Sequence, residues 1–180
     1  MKWFSLLFVT LLGCLAHSPA IQAPEQSQAL LATMVVTDAS RDVAVAPAAL
    51  ASRISETVGA RGFAVTALDN QVALDSFGQL RTPSLRQDFL VGTAAPGALI
   101  VLVEASVRRF GDIGGRYRWS VDVRLWLAPQ DNPTAAIETS FTAPVYLDNY
   151  HQKVDAALEA AGPSVQRQLA VALDEMIASL

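Results

Sequence analysis

Few side chains in this chain could do chemistry. There is one cysteine, Cys14, and there are two histidines, His17 and His151. Neither histidine has a Cys or a second His at metal-ligand spacing, so the sequence offers no zinc site. No Gly-x-Ser-x-Gly elbow, Walker loop or dinucleotide fingerprint is present, so acyl transfer and nucleotide chemistry lack their usual frames. Gly111-Asp112-Ile113-Gly114-Gly115 is rich in glycine, but it joins two strand-like stretches. A phosphate loop needs a helix N-terminus behind it. Asp69, Asp75 and Asp88 lie in an irregular stretch and read as solvated carboxylates. Acid–base chemistry needs convergent groups, and none can be assembled here. The expectation is a non-enzyme with no catalytic residue, no metal and no cofactor.

The arginines are a different matter. Arg108, Arg116, Arg118 and Arg124 fall on one face of a two-stranded arm, with Trp126 beside them. A solvated sheet face with one exposed aromatic is one reading. The other is a contact surface, because Arg and Trp are favoured at interface centres. Arg108, Arg118, Arg124 and Trp126 are therefore the candidate partner surface.

The elements that position them follow from periodicity. Residues 98–110 and 116–128 flank the glycine-rich turn as a long hairpin. In the second arm, Tyr117, Trp119, Val121, Val123, Leu125 and Leu127 share one face and read as core. Arg116, Arg118, Ser120, Asp122, Arg124 and Trp126 share the other. Pairing Phe110 with Arg116 would put Glu104 opposite Asp122 and diagonal to Arg124. Residues 30–37 read as a buried strand. Pro47 opens a helix with Leu50, Ile54 and Val58 on one face. Residues 63–68 form a second strand, and residues 135–143 another after the turn at 130–133. Between 69 and 97 the pattern is irregular, with a short helix at 83–90. Residues 149–161 and 163–180 read as two helices parted by Gly162-Pro163. The order β-α-β-(α)-β-β-β-α-α implies an α+β two-layer sandwich: a mixed sheet of about five strands with helices on one face.

The N-terminus carries an address. Lys2 precedes an apolar run over residues 4–12, too short to span a bilayer, and Gly13-Cys14 follow. Leu11-Leu12-Gly13-Cys14 resembles the bacterial lipobox, in which the Cys is lipidated and becomes the first mature residue. That implies a signal peptide at 1–13, a tether at 14–28 rich in Ala, Pro, Ser and Gln, and one domain at 29–180. An ordinary signal cleaved after Ala20 or Ala23 is the alternative. Cys14 is the sole cysteine, so no intramolecular disulfide can form. Leu15 stands where an Asp would retain such lipoproteins in the inner membrane, so the resemblance implies the outer membrane, with the domain on the periplasmic side.

Composition narrows the partners. The chain of 180 residues is 52% hydrophobic and 17% charged, which excludes a disordered chain. Its formal charge of −4 and the lack of a basic run argue against nucleic acid. Partners are expected to be the membrane, through lipidated Cys14, and another envelope protein, with an oligomer left open.

The arrangement as a whole resembles a group of bacterial periplasmic modules. This is the anticodon-binding-like α/β domain shared by the curli-secretion lipoprotein CsgG, the penicillin-binding-protein activator LpoB and the N-terminal domain of TolB. The residues that carry the likeness are Leu50, Ile54 and Val58 running into Gly62-Phe63-Ala64-Val65, and the strand entry Gly97-Ala98-Leu99-Ile100-Val101. The arm at 116–125 and the C-terminal helix complete it. The Asp usual in that strand entry is absent. A second group, the auxiliary lipoproteins of lipid-transport ABC systems, has a similar strand-hairpin-strand-helix ending, and implies an apolar ligand held between sheet and helices. Neither group is catalytic, and neither supplies active residues.

Overall fold

Buried apolar strands set the frame. The computed structural model describes residues 27–36, 42–113, 116–148 and 154–180, and of residues 112 and 113 the backbone alone. Strand β1 (Gln28–Val36) reads QALLATMVV and is buried on both faces over most of its length, as a central strand must be. Its neighbour β4 (Leu99–Ile113) runs parallel to it, with Ala29 opposite Leu99 and Val35 opposite Ala105. β4 turns back into β5 (Arg116–Pro129), and β5 into β6 (Ile137–Leu147), through a short 3₁₀ turn at Pro133–Ala135. The other edge of β1 is shared. β3 (Ala64–Ala67) pairs in parallel with its first half, and β2 (Val43–Val45) pairs antiparallel with its last residues. The result is a six-stranded mixed sheet, and the protein is of the α+β class.

Helices α1 (Ala48–Gly59) and α4 (Val154–Ser179) cover one face. Leu50, Ile54 and Val58 of α1 and Leu158, Val165, Leu169 and Leu173 of α4 pack on Leu31, Val101, Val103, Val121, Val123 and Leu125. Burying each such side chain stabilises the fold by roughly 1.5–3 kcal/mol. The helix expected after Pro47 is present, and its periodic residues are its buried ones.

Several expectations are corrected. The stretch after Leu68 contains two helices, α2 (Asn70–Phe77) and α3 (Pro83–Thr93). Asp69 caps the first by accepting from Gln71 N at 2.8 Å and Val72 N at 3.1 Å. Thr82 caps the second, with Pro83 at its first turn. These helices lie on the face opposite α1 and α4, so helices cover both faces at this end of the sheet. The two expected C-terminal helices are one, with Pro163 inside it, because the flanking stripe of Leu158, Val165 and Leu169 holds both halves to the sheet. Gly162 allows that helix to approach α1 closely, since a Cβ there would lie 3.2 Å from the Arg53 side chain. The hairpin register also differs. Glu104 pairs with Arg124, because the ladder runs on to Ile113 opposite Arg116, three residues past the expected end at Phe110, and a bulge at Phe110 takes back one of the three. Gly111 takes φ +133° there, a backbone conformation suited to glycine. The side-chain faces stay as expected, since the shift before the bulge is an even one.

Candidate functional site

The hairpin with β6 projects past the end of β1, which pairs only as far as Ala105 on β4, with β2 on its other edge. Its odd-numbered face is closed by α4, with Val121, Ala143, Val145 and Leu147 buried. Its even-numbered face is open. Glu138, Ser140, Thr142, Pro144 and Tyr146 of β6 are all exposed on it.

Trp126 is not on this open surface. It is 5% exposed and packs with Phe77 of α2, Leu90 of α3, Leu102 and Ala128. It lies on the expected face, but α2 and α3 cover that face at the base of the sheet, so its place in the partner surface is withdrawn. Tyr117 and Trp119, expected in the core, are only half-buried, because they lie beyond the thickest part of the helical layer.

The boundary between the covered and open parts is an ion pair. Arg86 of α3 donates from Nε to Glu104 Oε1 and from Nη1 to Leu80 O at 2.7 Å. Both residues are buried. Glu104 thus turns to a helix rather than to its cross-strand neighbour Arg124. Arg124 instead pairs with Glu138, its Nη2 lying 2.6 Å from Oε1. Next along the face comes Asp122. It accepts from Thr142 Oγ1 at 2.6 Å and from Arg108 Nε at 3.1 Å. The Thr142 hydroxyl and then the Arg108 guanidinium hold its carboxyl below the usual aspartate value. Arg116 pairs with Asp148 at 3.2 Å. Glu104, Ser106, Asp122, Arg124, Ser140 and Thr142 line a shallow groove of about 400 Å³ with Arg86 at its end. Its carboxylates are each engaged by a cation, so they serve as fixed acceptors in a charge network.

Beyond Asp122 the chemistry changes. The Arg118 guanidinium lies over the Phe110 ring, 5.3 Å from its centroid. Tyr146 is the cross-strand partner of Arg118. Phe110 is 60% exposed and Tyr146 51%. The Arg118 Nε is buried with no acceptor. On the opposite face Arg109 lies over Tyr117 at 5.2 Å.

Of the candidate surface, Arg108, Arg118 and Arg124 therefore share the open face. Arg86, Glu138, Thr142, Phe110 and Tyr146 complete it and were not legible as members. Phe110 could have been suspected from its place beside Gly111, where bulges form. Asp69 and Asp75 are helix-terminal: Asp69 caps α2, and Asp75 accepts from Gln71 Nε2 at 2.9 Å. Asp88 is exposed on α3. Cys14, His17 and His151 lie outside the described residues. Among the described residues no cluster of three His, Cys, Asp or Glu side chains forms a metal centre, and no helix is long and apolar enough to cross a membrane.

A second concavity of about 550 Å³ lies where β3 and β2 part along β1. Leu31, Ala32, Val45, Ala51, Ala67 and Leu68 give it a mainly apolar lining.

No protein-family model matches the chain, and no curated protein matches it in sequence. Among solved structures it is similar to a minor lipoprotein from Acinetobacter baumannii, at 11% identity over 79% of this chain and 90% of that one, with a TM-score of 0.42. It is similar to lipoprotein GNA1162 from Neisseria meningitidis, at 11% identity over 85% and 99%, with a TM-score of 0.44. It is also similar to the PelC dodecamer from Paraburkholderia phytofirmans, at 14% identity over 81% and 87%, with a TM-score of 0.41.

Proposed function

We propose that this chain is a lipoprotein of the bacterial cell envelope that binds another envelope protein and does no catalysis of its own. Cys14 carries the lipid and holds it to the periplasmic side of the outer membrane. The contact surface is the open face of the β4–β5–β6 arm. One observation carries this reading: two large aromatic side chains, Phe110 and Tyr146, stand exposed on either side of Arg118. Burying them against solvent contributes little to this chain's own stability, whereas aromatic–arginine groups of this kind anchor protein interfaces. The placement agrees. β1 begins beside the start of β4, so the tether joins the domain at the end of the sheet opposite the arm tip. With 15 residues at about 3.3 Å each, β4 holds the tip roughly 50 Å from that end.

Two variants test the reading. Cys14→Ala should release the protein from the outer-membrane fraction or leave an unprocessed precursor. Phe110→Ala with Tyr146→Ala should leave melting and anchoring nearly unchanged while reducing cross-linked partner several-fold. A folded, anchored double variant with undiminished cross-linking would refute it.

The second concavity favours another reading, an auxiliary lipoprotein of a lipid-transport system that holds an apolar ligand beside β1. Its size and lining suit one acyl chain. A fluorescent fatty acid should then bind the wild type and be displaced by Ala51→Phe. Absence of binding to the wild type would remove this reading.

A further inference from the structure

We infer that the partner docks an acidic segment on the arm tip, with Arg118 as the residue that receives its carboxylate. This rests on the protein-binding reading above and names the chemistry of the partner.

Five of the described arginines already meet a carboxylate. Arg61 meets Asp174, Arg86 meets Glu104, Arg108 meets Asp122, Arg116 meets Asp148 and Arg124 meets Glu138. Arg118 and Arg109 meet no carboxylate among the described residues. Each lies on an aromatic ring, Arg118 on Phe110 and Arg109 on Tyr117. Stacking uses the flat face of the guanidinium and leaves its N–H edge for a planar acceptor. The Nε of Arg118 is buried without an acceptor, as is that of Arg124, so an incoming carboxylate would meet the Nη groups of Arg118.

The field points the same way. Between Arg108 and Arg118 the sequence has four arginines and one aspartate, in a chain whose formal charge is −4. With Arg108 and Arg116 neutralised by Asp122 and Asp148, Arg109 and Arg118 against Asp112 leave a small positive excess there on an acidic domain, which favours an acidic partner over a basic one. Phe110 and Tyr146 flank the cation, which excludes water around the pair and strengthens it. An anionic membrane shares the charge but fits the geometry less well, because the tether leaves from the opposite end of the sheet.

The test is photo-cross-linking of the full chain in its own envelope, with benzoylphenylalanine in place of Phe110 or Tyr146, and in place of exposed Val171 on α4 as control. Adducts to a protein segment rich in Asp and Glu, absent from the control, are expected. Arg118→Glu should lower their yield by about tenfold or more, a close charge pair being worth at least that factor. Arg118→Gln, which is shorter and polar but uncharged, should also lower it, and serves if the reversal disturbs folding. Protein adducts through a neutral or basic segment, or a yield unchanged in both variants, would overturn the acidic assignment and leave the protein-binding reading standing. Adducts to phospholipid alone would put a membrane in the partner's place. No adduct at either position would overturn both.

Discussion

Glu104→Gln is the most informative single change to the fold. Arg86 and Glu104 side chains are 6% and 8% exposed, so the pair sits almost wholly out of water. Removing the carboxylate charge leaves the Arg86 guanidinium buried with only neutral carbonyl acceptors, Leu80 O and the new amide oxygen, and no countercharge. Breaking a buried pair in this way costs about 3–5 kcal/mol, mostly the desolvation of the stranded cation. Against a total stability of about 5–15 kcal/mol, that is a large share. Arg86→Met together with Glu104→Leu removes both charges and should recover most of the loss, to within about 1–2 kcal/mol of the wild type. The contrast is Glu138→Gln, whose partner Arg124 is 33% exposed and whose own side chain is 45% exposed. That change should cost no more than about 1 kcal/mol. Urea unfolding followed by tryptophan fluorescence measures all three against the wild type. A Glu104→Gln loss below about 1 kcal/mol, or a double variant less stable than Glu104→Gln, would show that the pair does not close the boundary between α3 and the sheet.

Three further outcomes are expected. Trp126→Ala should destabilise by about 3–5 kcal/mol, as for a large buried aromatic, whereas Phe110→Ala should stay within about 0.5 kcal/mol in the same unfolding assay. The stability that Asp122 adds is present above the ordinary aspartate value, about 3.9, and is lost as pH falls through its lower folded-state value; Thr142→Val should move its carbon-13 titration to higher pH, and an unmoved titration would show that the hydroxyl is not the cause. Gly162→Ala should lower the melting temperature slightly, because the added Cβ meets the Pro163 ring within the helix and lies 3.2 Å from the Arg53 side chain, against a helix-propensity gain of about 1 kcal/mol; a rise would mean that the helix relaxes around Pro163.

The hairpin is legible in the sequence because one face of it is buried: Val121, Val123, Leu125 and Leu127 alternate with polar residues, and no other register of faces would bury them. Its pairing is not legible, because the bulge at Phe110 depends on how Gly111 bends the strand. The same alternation puts Trp126 on the polar face but says nothing about what lies above it. That required recognising α2 and α3, whose starts are marked by Asp69 and by Thr82-Pro83, but whose few buried residues, Phe77, Arg86 and Leu90, make a weak stripe. The Arg86–Glu104 pair joins residues on two separate elements, and no spacing rule connects them. The exposure of Phe110 and Tyr146 follows from the reach of the arm past β1, a tertiary fact.

The place of β1 in the sheet bears on how the chain comes to be folded at all. A chain made or exported N-terminus first presents β1 early, yet its partner at Leu99 lies seventy positions beyond Ala29. The β4–β5–β6 meander closes through short connections and can form by itself, while β1 must wait for it. During that interval residues 29–36 are an uncharged run without proline, rich in Leu, Val and Met, with the edge meant for β4 unpaired. Such a run pairs readily with copies of itself. The strand that ends near the centre of the sheet therefore begins as an apolar edge without its main partner, and whatever delays its meeting with β4 should favour aggregation over folding.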